Sequence, residues 1–213
     1  MRNALDVTTA QALDGALTQF CRDPELRAAV LTGAGGYFCS GMDLKKFPTD
    51  GVPAVGGRGL GGLTRAHLTK PLIAAVEGAA VGGGMELALS CDLIVAGTSA
   101  LFALPEVSRG LIAAEGGAAR LPARFPYHLA MEMLLTGEPV DAASAARHGL
   151  VNKIAEDGTA VETALELASL ITRHPQEAVQ AARAMARTAH EVGPAAAWRL
   201  QDAVSPSSFS TLG

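Results

Sequence analysis

Residues 77–92 read EGAAVGGGMELALSCD. A glycine cluster, Gly82-Gly83-Gly84, runs directly into an apolar, helix-like segment over residues 85–89. Three glycines before a helix leave backbone N–H groups bare and let another molecule approach the main chain. The helix dipole adds partial positive charge, which suits an oxyanion or a phosphate. Glu86 sits in the first turn of an otherwise apolar run. Either it is there for the dipole alone, or it is a buried carboxylate that must be partnered or used.

The apolar runs 72–76 and 92–96 flank this stretch, and 100–102 follows it. Strand, glycine turn, helix, strand is the pattern of a parallel α/β unit, with the functional turn at the carboxyl end of the strand. An earlier run, 28–31, ends in Thr32-Gly33 and reads as another buried strand. Before it, Thr8 and Thr9 cap a predicted helix reaching Phe20. Asp43 is placed to cap a helical turn after Gly41. Residues 51–62 hold six glycines and read as a mobile surface loop, a frequent place for a lid. A short helix is predicted near 64–68. Beyond Phe125 the pattern turns helical: 127–136, 142–148, 159–172, 175–190 and 194–204, with one short strand over 150–154. The expected organisation is therefore a β–α core over residues 1–125 and a helical region over 126–213. Ser205 onward reads as a loop-like tail.

The chain has 213 residues, enough for one domain or one with a small appendage. Apolar residues make up 49% and charged residues 18%, so a sizeable core is available. Aromatics are only 4%, so that core must be built from Ala, Val and Leu. A net charge of −4 without any basic block argues against a nucleic-acid surface and gives no polybasic membrane signal. No apolar run reaches the length of a membrane span, and the first residues do not read as a signal peptide. Cys21, Cys39 and Cys91 are too few and too unevenly spaced for a disulfide framework. A reducing, cytoplasmic setting is the expectation.

Two constellations carry chemistry. Ser40-Gly41-Met42 and Gly82-Gly83-Gly84 are glycine-led turns, each after a strand and before a helix. Amides converging from two such turns form an oxyanion hole. Neither turn is a P-loop or a dinucleotide fingerprint, because the Lys-Ser/Thr and the glycine spacing are lacking. The second constellation is Glu86 and Glu106, each beside a glycine or proline turn in apolar surroundings. Two carboxylates around one water can divide acid and base work. The alternative is that Glu86 pairs with an arginine and Glu106 caps a loop. Glu115, near a helix start, is explained better by the dipole than by catalysis. The five histidines show no ligand spacing with the cysteines, so no metal site is expected. No Gly-x-Ser-x-Gly elbow occurs.

In these motifs the chain resembles the crotonase, or enoyl-CoA hydratase/isomerase, superfamily. Carrying the likeness are Asn3-Ala4-Leu5-Asp6, Phe38-Cys39-Ser40-Gly41-Met42-Asp43-Leu44, the run 71–78, Gly82-Gly83-Gly84-Met85-Glu86, Cys91-Asp92, Pro105-Glu106-Val107, Arg120-Leu121-Pro122, Leu135-Thr136-Gly137 and Gly149-Leu150-Val151-Asn152. The resemblance implies an α/β fold, a spiral of β–β–α turns followed by a helical trimerisation region. It implies an acyl-CoA thioester substrate and a homotrimer or dimer of trimers. CoA then enters only as part of the substrate, and no metal or redox cofactor is needed. The oxyanion hole falls on the amides of Met42 and Gly83. Glu86 corresponds to the residue that holds and activates water for C3, and Glu106 to the one that exchanges a proton with C2. The remaining substrate contacts fall on Ser40, Gly41, Asp43, Leu44, Gly82 and Pro105. The adenine end of CoA falls along Arg2-Asn3-Ala4, with Lys45 at a phosphate.

The implied activity is hydration of 2-enoyl-CoA. The alternatives are Δ3,Δ2-isomerisation or another acyl-CoA lyase or dehydratase chemistry of the fold and, from another class, a non-catalytic acyl-CoA- or subunit-binding paralogue. Against the family pattern, the chain reads as truncated at both ends: the N-terminal β-hairpin and a closing C-terminal helix are the missing parts. Residues 112–115 also depart from the usual Pro-Gly-Ala run, which puts Glu115 near the acyl pocket, where it bears on substrate choice.

Overall fold

In the computed structural model, which describes residues 2–209, two small sheets are stacked along a spiral. Helix α1 (Val7–Arg22) leads to strand β1 (Ala29–Thr32) and the single-turn helix α2 (Phe47–Asp50). The centre is β2 (Leu72–Val76), β3 (Ala79–Val81), α3 (Gly83–Ser90), β4 (Leu93–Gly97) and β5 (Leu101–Ala103). There follow α4 (Gly117–Arg124), α5 (Tyr127–Thr136), β6 (Val140–Asp141), α6 (Ala142–Arg147) and β7 (Lys153–Ala155). Three helices come last: α7 (Ala160–Thr172), α8 (Gln176–Glu191) and α9 (Pro194–Phe209).

The first sheet is parallel, in the order β1-β2-β4-β7, and the second has the order β3-β5-β6. Each spiral turn sends one strand to the first sheet, one to the second, and then a helix: β2, β3, α3 is one turn, and β4, β5, α4 the next. The first turn follows the same path, because Cys39 bridges Ala80 of β3 in parallel. The β–β–α spiral implied by the motifs is thus the fold observed. β6 pairs with β5 and β7 with β4, so the later part of the chain also enters both sheets.

Every residue of β2 is buried. Leu72, Ala74 and Val76 face the main core, whereas Ile73 and Ala75 face α7 across a second cluster with Val95 and Ala164. A strand covered on both faces gains from apolar side chains at every position, which is why it reads as an unbroken run.

Several local expectations are corrected. Asp6, not Thr8 or Thr9, caps α1, accepting the Thr9 amide at 2.7 Å, and the helix continues to Arg22. Asp43 accepts the Lys45 amide at 3.0 Å and so caps a turn, while α2 begins later, at Phe47. No helix forms over 64–68, where Thr64 is drawn into hydrogen bonds with Glu115 and Arg120 instead. The segment 51–62 is not wholly a surface loop: Leu60 is buried, and Ala54 bridges it in antiparallel fashion. The tail expected to be loop-like is helical through Phe209, since extending an existing helix adds one hydrogen bond per residue fixed. The last four residues of that tail, and Met1, lie outside the described residues.

Asp92, between α3 and β4, ties α8 to this core. Its Oδ2 accepts the Leu72 amide at 2.9 Å and Arg183 Nε at 2.7 Å, and its Oδ1 pairs with Arg187 at 3.3 Å. The Arg183 side chain is only 10% exposed. Removing one partner of such a pair strands the other, at a cost of about 3 kcal/mol. Asp92→Ala should therefore lower the urea midpoint by about 1–3 M, that loss divided by an unchanged m of about 1–3 kcal/mol/M. A midpoint within error of the parent would refute the assignment.

Candidate active site

The first turn, residues 40–42, is held open by its neighbours. Leu5 bridges Met42 in parallel, through Leu5 N–H to the Gly41 carbonyl (2.8 Å) and Asp43 N–H to the Leu5 carbonyl (2.8 Å). That pattern leaves the Met42 N–H outside the bridge. Gly41 has φ +88° and donates its amide to the buried Cys39 sulfur at 3.3 Å. Burial pushes the Cys39 thiol up, so it stays neutral there. In the second turn, Gly82 has φ +56° and Gly83 is the first residue of α3, where an N–H has no intrahelical partner.

The two turns meet. A Cβ placed on Gly41 would lie 3.1 Å from the Gly83 amide nitrogen, and one on Gly83 would lie 3.7 Å from the Met42 nitrogen. A Cβ on Gly82 would lie 3.2 Å from Glu106 Oε1. One cavity of about 340 Å3 is lined by both turns and both carboxylates. Ser40, Gly41, Met42, Leu44, Gly82, Gly83, Glu86, Pro105 and Glu106 are all in its lining. Arg2, Ala4, Asp43 and Lys45 are not. Arg2 is exposed, with its guanidinium 4.8 Å from the Tyr37 ring centre, and its carbonyl accepts the Ser40 amide. Lys45 is exposed as well.

Glu86 is 4% exposed, and its Oε1 accepts the amide of Gly117, the first residue of α4, at 3.0 Å. No arginine pairs with it among the described residues, contrary to the ion-pair alternative. Burial raises its pKa most; the Gly117 amide opposes this, and the Glu106 charge raises it further. Glu106 sits on the 3-10 turn Pro105–Arg109 after β5. Burial raises its pKa too, with its own backbone amide and Arg109 opposing. Its Oε2 is buried without a hydrogen-bond partner among the described residues. Two carboxyls with raised pKa values lining one cavity, one buried and one half-buried, can share a proton and divide acid and base roles.

Glu115 also lines the cavity, but its oxygens are taken. Oε2 accepts the Leu60 amide (3.0 Å) and the Thr64 hydroxyl (2.7 Å), and Oε1 pairs with Arg65 (3.0 Å). Its carboxylate is spent on this segment rather than on the α4 dipole, while its backbone amide and its charge both bear on Glu86. Leu60 and Arg109 belong to the cavity although the sequence did not single them out. The six-glycine run was the signal near Leu60; the charge three positions after Glu106 was the signal for Arg109. Among the described residues, no cluster of His, Cys, Asp or Glu could hold a metal ion, and no helix is long and apolar enough to cross a membrane.

Comparison with known proteins agrees with this architecture. The enoyl-CoA hydratase/isomerase family profile matches residues 1–210. Carnitinyl-CoA dehydratase of Proteus mirabilis is 40% identical over 194 residues, covering 89% of this chain and 74% of its own. Enoyl-CoA hydratase EchA19 of Mycobacterium tuberculosis is 43% identical over 187 residues, 84% of this chain and 70% of its own. The crystal structure of an enoyl-CoA hydratase from M. tuberculosis superposes with a TM-score of 0.92 at 45% identity, covering 97% of this chain and 81% of the other. With both sheets, both glycine turns and the profile match in agreement, the chain belongs to the enoyl-CoA hydratase/isomerase family of the crotonase superfamily.

Proposed function

We propose that the chain adds water across the C2–C3 double bond of a 2-enoyl-CoA thioester. The observation that carries this reading is the pair Glu86, buried, and Glu106, half-buried, both lining one cavity with the two glycine turns. The thioester oxygen accepts the N–H groups of Met42 and Gly83, which stabilise the charge that develops on it as an enolate. Glu86, fixed by the Gly117 amide, takes a proton from water as the water oxygen bonds to C3. The C2–C3 π electrons move toward the carbonyl, and Glu106 as the acid gives its proton to C2 as the enolate collapses. Hydrogen and hydroxyl are thus added in one cycle, and the pair ends with the one proton it began with. Arg109, which lowers the Glu106 pKa, tunes when that acid is charged.

A passive acyl-CoA-binding role would leave the partnerless Glu106 oxygen unexplained, since an unsatisfied buried polar group costs about 1–3 kcal/mol. The purified protein is expected to consume crotonyl-CoA with loss of enoyl-thioester absorbance and to form 3-hydroxybutanoyl-CoA, identified by mass. A folded protein that binds acyl-CoA but yields no hydrated product would overturn the reading. Conversion of a 3-enoyl-CoA alone would replace it with isomerisation.

A further inference from the structure

A second cavity, of about 450 Å3, lies against the first. Ala114 and Glu115 line both, so they form the wall between them. The Glu115 carboxylate is clamped to a segment fifty or more residues away, through Leu60, Thr64 and Arg65. Arg120 closes the clamp from behind, donating to the carbonyls of Thr64 and Glu115. The clamp holds Leu60, whose Cδ2 would lie 2.6 Å from a Cβ on Gly83, so Leu60 packs directly on the second glycine turn. The preceding segment, 51–62, carries six glycines and has weak backbone preferences of its own. Charge-assisted bonds to its far end therefore decide where Leu60 sits.

We propose that Glu115 is a positioning residue that seats Leu60 against Gly83 and closes the catalytic cavity toward its neighbour, so that the site takes short acyl thioesters. Only the identity of the ligand rests on the hydration reading. Without the carboxylate, the 340 Å3 cavity opens into the 450 Å3 one, and Arg65, already 59% exposed, is free to turn to solvent.

The test compares the parent protein with Glu115→Gln and Glu115→Ala, using butanoyl-CoA and octanoyl-CoA. These saturated thioesters cannot be hydrated, so affinity is read independently of turnover. The parent should bind octanoyl-CoA no more tightly than butanoyl-CoA. Glu115→Ala should shift the affinity ratio toward octanoyl-CoA by about tenfold or more, because further methylenes are buried. Hydrogen exchange at the Leu60 amide should accelerate by about tenfold or more in the same variant. Glu115→Gln keeps an acceptor for Leu60 and Thr64 and should stay within about threefold of the parent on both readouts. If Glu115→Ala does not fold, Thr64→Val, which removes the hydroxyl held by Glu115, should show the same shifts. An unchanged ratio, an unchanged Leu60 exchange rate, a parent that prefers octanoyl-CoA, or no binding of either thioester would overturn the proposal. A shifted ratio in a protein that does not hydrate crotonyl-CoA would retain the clamp and remove the hydratase reading.

Discussion

Glu106→Gln is expected to lower kcat/KM for crotonyl-CoA hydration by about 10²–10⁴-fold, the range of a lost general acid or base. The substitution keeps size and shape, so affinity for a saturated acyl-CoA should stay within about threefold. The size of the effect follows from the position of the carboxyl group. One oxygen lies beside Gly82, at the mouth of the second glycine turn, and the other is buried without a hydrogen-bond partner among the described residues. A group so placed contributes little to the fold and has the cavity as its outlet. Glu86→Gln should fall in the same range, since the amide oxygen still accepts from Gly117 while the ability to take a proton is lost. The double variant should be little worse than either single one, because the pair acts as a unit. Full activity in Glu106→Gln would sink its assignment as the proton donor.

Acidity gives this prediction a second readout. Burial raises both carboxyls above the ordinary glutamate value of 4.5. The activity profile should therefore have its acidic limb above the usual carboxylate range, with apparent values that belong to the pair. Stability carries the opposite sign. A carboxyl whose folded pKa is raised stabilises below its unfolded pKa, and that contribution is lost as pH rises through the folded value. Glu106→Gln, which cannot ionise, should then exceed the parent in stability at pH 7, and the gap should close below about pH 4.5. Urea midpoints at the two pH values measure this. A variant less stable than the parent at pH 7 would contradict the buried-charge account.

What the sequence disclosed depended on the range of the forces involved. β2 and α5 could be read to the residue. One is an apolar run bounded by Lys70-Pro71 and Glu77-Gly78; the other is a helical run after Pro126 that ends at Gly137 in the left-handed region. β3 could not be read. Ala79-Ala80-Val81 lies within glycines and becomes a strand because β5 pairs with it on one side and Cys39 bridges it on the other. The absent helix over 64–68 and the burial of Leu60 have the same origin, in bonds from Glu115 and Arg120 fifty or more residues away. In the site, Glu86, Glu106 and both glycine turns stood out because they interrupt apolar strand–helix patterns, and the fold brings them to one cavity. The Glu115 clamp left no local trace, since an acid before two glycines resembles any helix start.

Gly41→Ala is expected to lower kcat by about 10²–10³-fold, comparable to losing one oxyanion-hole donor. Two causes act together. At φ +88° an alanine is strained, by about 1–2 kcal/mol. Its Cβ would also stand 3.0 Å from the Val81 carbonyl oxygen and 3.1 Å from the Gly83 nitrogen. Both neighbours are backbone, held by β3 and the start of α3, so relief must come from the turns moving apart. Separation by a few tenths of an ångström misaligns the Met42 and Gly83 amides, and the new methyl group shields one of them. Gly35→Ala separates the two causes: its φ is +69° but nothing among the described residues lies within 4 Å of the added Cβ. It should lose similar stability and keep its activity. Gly83→Ala meets the flexible end of Leu60 rather than backbone, so its effect should be milder and fall mainly on KM. Crotonyl-CoA kinetics and urea unfolding on the three variants decide the matter. If Gly41→Ala keeps kcat within about threefold of the parent, the two amides do not act as a preorganised oxyanion hole.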